Sequence, residues 1–94
     1  MINMKIKLAK EIEFEGGKYA ELTVDLDGLT GRDLVDAEAE ASAIAARPVT
    51  DIDKTYQTCV AAKAAKVPAE LLFKLPARDF AKITSAVQNF LLGG

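Results

Sequence analysis

The segment from Leu26 to Leu34 constrains the fold most, because the spacing of apolar residues changes there from strand-like to helix-like. Before it, Leu22, Val24 and Leu26 alternate with polar residues, which is the period of a half-buried strand. After it, apolar residues recur three or four positions apart, which is the period of a helix. The chain therefore passes from strand to helix through a very short connection.

Two features inside this segment are typical of a tight turn and a helix start. Gly28 lacks a Cβ atom and can adopt a positive φ without a steric penalty. Thr30 is followed three residues later by Asp33, a capping box in which aspartate replaces the usual glutamate. We predict a turn at Gly28 and a helix N-terminus at Thr30.

The N-terminal third of the chain predicts an antiparallel β-hairpin over residues 4–26, approximately. Apolar residues occupy even positions on both sides of Gly16-Gly17: Met4, Ile6, Leu8, Ile12 and Phe14 before it, and Ala20, Leu22, Val24 and Leu26 after it. A two-residue Gly16-Gly17 loop would place these two apolar sets on opposite faces, since directly opposed residues share a face. A loop that pairs Glu15 with Tyr19 places Phe14 by Ala20 and Ile12 by Leu22. We expect this odd-length loop or an equivalent bulge.

Helical periodicity and three prolines divide the remaining chain into helices at about 31–46, 51–65, 68–74 and 77–92. Thr50 with Asp53 offers a cap for the second helix, while Pro68 and Pro76 suit the first positions of the last two. The residues expected on buried faces are Leu34, Ala37, Ala41, Ile44 and Ala45, then Ile52, Tyr56, Cys59 and Val60, and finally Phe80, Ile83, Val87, Phe90 and Leu91. Phe80→Ala is expected to cost about 3–5 kcal/mol.

These elements predict an α+β protein, a single domain over residues 1–94 in which an N-terminal antiparallel hairpin is followed by three to four α-helices. An isolated hairpin is marginally stable in water, so the helices are expected to pack on it.

The composition argues against common catalytic and metal sites. The chain has one cysteine and no histidine, which excludes an internal disulfide and the usual zinc ligand sets. Asp25 and Asp27 lack the remaining ligands of a calcium loop and fit a turn better. Cys59 lies on an apolar helical face, which favours buried packing over reactivity. The sequence predicts no enzyme, no cofactor and no metal.

Charge is distributed unevenly along the chain. Residues 1–46 carry five basic and ten acidic side chains, whereas residues 47–94 carry seven basic and four acidic ones. This asymmetry is compatible with solvated faces, intramolecular packing, head-to-tail self-association or an oppositely charged partner. Nucleic acid is not expected as a partner, because the last helix offers only Arg78 and Lys82. No apolar run reaches the ~18 residues of a membrane span, and no signal peptide is evident, which predicts a soluble cytoplasmic protein.

Two long segments carry a family resemblance: KIKLAKEIEFEGGKYAELTVDLDGLTGRDL, and YQTCVAAKAAKVPAELLFKLPARDFAKITSAVQNFLL. They resemble the small tail assembly chaperones of Mu-like and P2-like long-tailed bacteriophages. Glu11 departs from the pattern, since relatives often have proline there, and a strand-edge proline would only remove one ladder bond. Residues 47–53 are the least family-like part of the chain.

The resemblance implies a non-enzymatic role, in which the protein binds the long, apolar, helical tape measure protein before the tail tube polymerises. It also implies absence from the mature virion, location in the cytoplasm of the bacterial host, and contact with the tail tube protein. Many such phages make a longer form by ribosomal frameshifting, and this chain would be the short form. A small regulatory or antitoxin-like binding module is the alternative of a different class.

The candidate partner-binding residues are Phe90, Leu91 and Leu92, three consecutive large apolar side chains. One helix face can bury about two of them, so Leu92 is expected to be exposed. Single exposed leucines are common, and this one is either harmless or part of a surface for the tape measure helix or another copy of the chain. The alanine faces of the first two helices are the next candidates.

Overall fold

The computed structural model describes residues 3–93 and shows an antiparallel hairpin followed by four helices. The elements are β1 Asn3–Phe14, β2 Gly17–Asp25, α1 Gly31–Ala45, α2 Lys54–Ala65, α3 Ala69–Phe73 and α4 Ala77–Leu91. The predicted α+β class is confirmed. Pro68 and Pro76 each lie one position before the helix that follows, as its N-cap residue, rather than at its first position.

The hairpin turn is shorter than expected. Phe14 lies opposite Gly17, so the turn consists of Glu15 and Gly16, with φ values of 48° and 83°. Positive φ at both central residues is typical of a type I′ turn, whose twist matches that of the flanking strands. The expected pairing of Glu15 with Tyr19 is therefore wrong.

A bulge in β1 compensates for this two-residue turn, which would otherwise place the apolar residues of the two strands on opposite faces of the sheet. Ile12 lies opposite Tyr19, but Lys7 lies opposite Glu21. Between these two pairs, β1 contains the four residues 8–11 and β2 contains only Ala20, so β1 has three extra residues. The excess brings Ile6 opposite Leu22, so the apolar residues nearer the open end of the hairpin share one face. The expected bulge is confirmed, whereas the predicted pairs of Phe14 with Ala20 and Ile12 with Leu22 are wrong.

The helix α4 holds this bulge from the side. The amide of Ala9 donates to Oδ2 of Asp79 at 2.9 Å, and Asp79 lies in the first turn of α4 with only 2% of its surface exposed. A backbone amide in the irregular part of a strand lacks its regular ladder partner, and a carboxylate is a strong acceptor for it. This single bond connects the irregular part of β1 to the C-terminal helix.

The junction between β2 and α1 forms the predicted capping box. The hydroxyl of Thr30 accepts from the amide of Asp33 at 3.3 Å, and the carboxylate of Asp33 accepts from the amide of Thr30 at 2.9 Å. Gly28 is needed for a different reason from the one expected, since its φ is not positive. Its amide donates to Asp25 at 3.2 Å, and a Cβ atom on Gly28 would lie 2.8 Å from the Asp25 carboxylate. A side chain at this position would therefore displace the carboxylate that accepts from the Gly28 amide.

The helix α2 lies at the centre of the helical layer and is buried on nearly all sides. Its buried residues are Tyr56, Gln57, Thr58, Cys59, Val60, Ala61, Ala62 and Ala64. The hydroxyl of Tyr56 donates to the Leu34 carbonyl of α1 at 3.5 Å. On another side, Gln57 donates to Gln88 of α4 at 3.0 Å and Lys54 donates to Thr84 at 3.4 Å. The helices α1 and α4 therefore pack on different sides of α2.

Three expectations about α1 and α2 are wrong. The helix α2 begins at Lys54, capped by Asp53 rather than Thr50, and the Asp53 carboxylate accepts from the amide of Thr55 at 3.1 Å. Ile52 precedes this cap, lies outside the helical spacing and is 68% exposed. Ile44 is 44% exposed, because α1 packs chiefly on α2 and its buried stripe is narrow, centred on Ala37 and Ala41.

Arg47 secures the start of α2 from the preceding loop. Its guanidinium donates to the Asp53 carboxylate, and this hydrogen bond holds the pKa of Asp53 below its ordinary value. The lowered pKa extends the charged state of the capping carboxylate to more acidic pH, where it still accepts from the amide of Thr55.

We expect Ala46→Gly to raise the free energy of unfolding by about 0.5–1 kcal/mol. Ala46 ends α1 in the left-handed conformation with a φ of 59°, which strains any residue that carries a Cβ atom. Relief of this strain exceeds the extra freedom that glycine adds to the unfolded chain. Urea denaturation followed by circular dichroism would measure the change. The control is Ala43→Gly inside the same helix, which should destabilise by a similar amount. Destabilisation by both changes would contradict the prediction.

Candidate partner-binding surface on the last helix

The helix α4 separates its large apolar residues from its small ones. Ile83 and Val87 face inward and are 1% and 0% exposed, and Thr84 beside them is fully buried. The opposite side carries Ala77, Ala81, Ser85 and Asn89, four residues apart, with Arg78 and Lys82 among them. This spacing keeps the small residues on one side of a helix with 3.6 residues per turn.

At the C-terminal end of α4, Leu92 is exposed, as the sequence predicts. Phe90 and Leu91 are half-buried and pack against the core, whereas Leu92 is 61% exposed. The amide of Leu92 donates to the Gln88 carbonyl at 3.0 Å, so the backbone at this position is still held by the helix. Two of the three apolar residues therefore anchor the helix end, and the third is accessible.

A shallow groove of about 800 Å³ runs along the outer side of α4. We call it the α4 groove; its lining residues are Met4 from β1 and Ala77, Arg78, Ala81, Lys82, Ser85, Ala86 and Asn89 from α4. Arg78 and Lys82 are its charged residues, and no carboxylate lines it. The small side chains leave room for another backbone to approach closely.

Leu92 extends this groove. At 100° per residue, Leu92 lies within roughly 20° of Ala81 around the helix axis. The exposed leucine and the groove therefore face the same direction, and Arg78 and Lys82 lie among the residues of the groove. Of the three candidate residues, Leu92 is exposed on the side of α4 that carries the groove, while Phe90 and Leu91 pack against the core.

The sequence pattern indicated the C-terminal apolar residues and the alanine faces of the first two helices, but not the small residues of α4 that line the groove. The available signal was the four-residue spacing of Ala77, Ala81, Ser85 and Asn89 opposite the apolar stripe. The contribution of Met4 depends on the packing of β1 beside α4, which no local pattern indicates.

The alanine faces named as the next candidates differ in accessibility. Ala61, Ala62 and Ala64 of α2 are 0–6% exposed, so this helix offers no alanine surface to a partner. In α1, Ala37 and Ala41 are fully buried, whereas Ala39 and Ala43 are exposed on the other side of the helix, beside Val35, which is 55% exposed.

Cys59 is a packing residue. It is fully buried in α2, and burial raises the pKa of its thiol to about 12, with the nearby Glu40 carboxylate adding to the shift. A neutral thiol at physiological pH is neither a nucleophile nor a metal ligand. Within residues 3–93, no group of three or more histidine, cysteine, aspartate or glutamate side chains could hold a metal ion.

We expect Cys59 in the folded protein to react with a thiol reagent at pH 8 at least about a hundredfold more slowly than in urea. The raised pKa also has a consequence for stability, because the folded state keeps this proton while the unfolded state loses it above about pH 8.5. The contribution of the thiol to stability should therefore fall as pH rises from about 8.5 towards 12. Labelling kinetics with a chromogenic disulfide would test the first point, and equal rates in both states would contradict it.

Among the helices in the described part of the chain, none is long and apolar enough to cross a membrane.

A family model described as "Phage tail assembly chaperone proteins, E, or 41 or 14" matches residues 5–92, which is nearly the whole chain. Neither the curated proteins nor the solved structures yield a match.

Proposed function

The chain belongs to the phage tail assembly chaperone family, and from that premise we propose that it binds the tape measure protein and keeps it soluble until the tail tube polymerises. The role is that of a binding protein without catalysis, as is typical of a chaperone family. It is exercised in the cytoplasm of the bacterial host, and the protein is absent from the mature virion. The tail tube protein and a frameshifted longer form are further proposed partners.

The observation that carries this proposal is the α4 groove with Leu92 at its end. An amphipathic helix binds by laying its apolar side into a shallow apolar groove. The helix α4 has 15 residues and is about 22 Å long, enough to contact four turns of a partner helix. Small residues along the groove permit close approach, and Leu92 supplies a larger apolar contact.

A long apolar helix requires such a cover. Extended apolar surface that is exposed to water drives aggregation, since burial of each Å² is worth about 25 cal/mol. A small protein that covers one stretch of the helix removes part of this drive. The tape measure protein would need many such contacts along its length. Several copies of this short chain, each with its own groove, can provide them.

The substitution Leu92→Asp tests the proposal by co-expression with the tape measure protein and pull-down. We expect the captured amount to fall about tenfold or more, because a carboxylate would be desolvated against an apolar helix. The matched control is Ile52→Asp, which places the same charge at an apolar side chain of similar exposure outside α4. Both variants should keep the far-UV circular dichroism of the wild type.

Undiminished capture by a folded Leu92→Asp protein would place the binding surface elsewhere and contradict the proposal. Removal of residues 90–94 is a less clean test, because it also deletes Phe90 and Leu91, which pack against the core. A loss of capture after that truncation must therefore be compared with a thermal melt.

A further inference from the structure

We propose that the α4 groove selects a partner helix that is acidic at one end and apolar at the other, and that Arg78 and Lys82 determine this specificity. The inference rests on the proposed function, since it names the kind of helical segment that the groove takes. It adds a requirement for charge, which a purely apolar cover for a helix would not have.

The two cations of the groove have no ionic partner inside the molecule. Arg78 and Lys82 are exposed, and among the described residues neither forms an ion pair. The single carboxylate of α4 belongs to Asp79, which is buried and accepts from the amide of Ala9. The positive charge is therefore available to a molecule that binds in the groove.

Three other cations of the C-terminal half take part in contacts within the fold. Arg47 donates to the carboxylate that caps α2, and Lys54 donates to the hydroxyl of Thr84. The Nζ atom of Lys74 lies 5.2 Å from the centroid of the Phe14 ring. The two groove cations make no contact of this kind, which favours a role for them in binding.

The charge is concentrated at one end of the groove. Arg78 and Lys82 are four residues apart, so they are separated by about 6 Å along the helix axis and about 40° around it. The positive end of the helix dipole lies at the same end. Ser85, Ala86 and Asn89 line the other half without charge, and Leu92 lies beyond them. The groove is thus cationic at its N-terminal end and uncharged at its C-terminal end.

This arrangement fits a helix with two carboxylates four residues apart. Their spacing of about 6 Å along the partner axis equals that of the two cations, so each carboxylate can pair with one cation when the helices lie side by side. The guanidinium of Arg78 can bind a carboxylate through two parallel hydrogen bonds, whereas Lys82 acts as a point charge. Large apolar residues of the same partner would contact the uncharged half and Leu92.

Met4 allows the apolar part of the partner to vary. It is half-buried and lines the groove beside α4. Its unbranched thioether side chain can adapt to apolar side chains of different shape. Recognition by charge together with a tolerant apolar contact would let one groove accept many segments of a long helix.

The charge contributes selectivity more than affinity. Complementary charges at a surface suppress binding of the wrong partner, because like charges that face each other repel. A helix with lysines in place of the two carboxylates should therefore be rejected. Exposed charges are screened by salt, and the Debye length shrinks from about 10 Å at 0.1 M salt to 3 Å at 1 M. We expect the selectivity to shrink with it.

Two synthetic helical peptides of about 18 residues would test the proposal with the full chain. They share one stripe of leucines and differ only at two positions four residues apart, which are glutamate in one peptide and lysine in the other. In fluorescence anisotropy at about 0.05 M salt, the glutamate peptide should bind about tenfold more tightly or better. The ratio should approach one in 1 M salt. Amide shifts caused by the glutamate peptide in nuclear magnetic resonance spectra should lie along residues 77–92.

Charge variants assign the selectivity to the two cations. R78E/K82E should reverse it, so that the lysine peptide binds more tightly, and R78Q/K82Q should abolish it. The matched control R32E/K66E changes the net charge as much as R78E/K82E does, at exposed positions outside the groove, and should keep the wild-type preference. Circular dichroism would establish that all three are folded. Equal affinities of the wild type for both peptides at low salt would overturn the proposal, as would no binding at millimolar concentration or an unchanged preference in R78E/K82E.

The outcome is distinguishable from that of the proposed function, because neither peptide contains tape measure sequence. If the wild type failed to capture the tape measure protein, the proposed function would fall and the peptide preference would stand. If it captured that protein but bound both peptides equally, and R78E/K82E captured as much as R32E/K66E, the charge requirement would fall and the proposed function would stand.

Discussion

Replacing Ile83 by alanine should lower the free energy of unfolding by about 2–5 kcal/mol. Ile83 is 1% exposed and lies in the middle of α4, on the side that covers the core. The substitution removes buried methyl groups and leaves a cavity that the surrounding residues fill only in part. Total stabilities are about 5–15 kcal/mol, so the loss would be a large fraction of the whole.

The control for this measurement is Ile44→Ala, which makes the same chemical change in a helix of the same length. Ile44 is 44% exposed, and its replacement should cost less than about 1 kcal/mol. Phe80→Ala should fall towards the lower end of the ~3–5 kcal/mol range, since Phe80 is half-buried and its ring is tilted by 32° against that of Phe73, with centroids 6.1 Å apart. Equal losses at Ile83 and Ile44 in urea denaturation would mean that the inward side of α4 is wrongly assigned.

Replacing Asp79 by alanine should lower the free energy of unfolding by about 2–3 kcal/mol, although the substitution removes little apolar surface. A hydrogen bond to a charged group is worth about 1.5–3 kcal/mol, and the change leaves the amide of Ala9 without its acceptor. Hydrogen exchange measured by nuclear magnetic resonance should show a loss of protection at that amide. Protection of the amides in β2 should change less.

The conservative variant Asp79→Asn separates the hydrogen bond from the general effect of substitution. Its side-chain oxygen can still accept from Ala9, so it should retain most of the stability and most of the protection. If the alanine variant kept the exchange protection of Ala9, the bond would contribute nothing to the bulge.

The parts of this fold that sequence predicts are those decided by residues close together in the chain. Thr30 and Asp33 lie three positions apart, and their capping box is present as expected. Alternation across the two strands was sufficient to predict the hairpin and the need for an odd excess of residues. Either an odd-length loop or a bulge in one strand would place the two apolar sets on one face. The chain has the bulge, with the extra residues at 8–11 of β1 rather than in the loop.

The incorrect or missing predictions involve distant residues. Asp79 supplies the acceptor at the bulge from 70 positions away, and no local pattern connects it to Ala9. Ile44 satisfies the helical spacing of a buried residue, yet only the position of α2 decides how wide the buried stripe of α1 is. The candidate surface was predicted at Leu92, but the groove that leads to it needs Met4 from the other end of the chain.

The bond between Ala9 and Asp79 also bears on the order in which the protein can fold as it is synthesised. The hairpin leaves the ribosome first, but the acceptor for its bulge belongs to the last helix and follows 70 residues later. Until then the hairpin lacks its contacts with α4, and a two-stranded sheet alone is marginal in water. Contacts between distant residues form late because closure of a long loop must come first. The nascent chain therefore completes its native sheet only when translation has reached the end of α4.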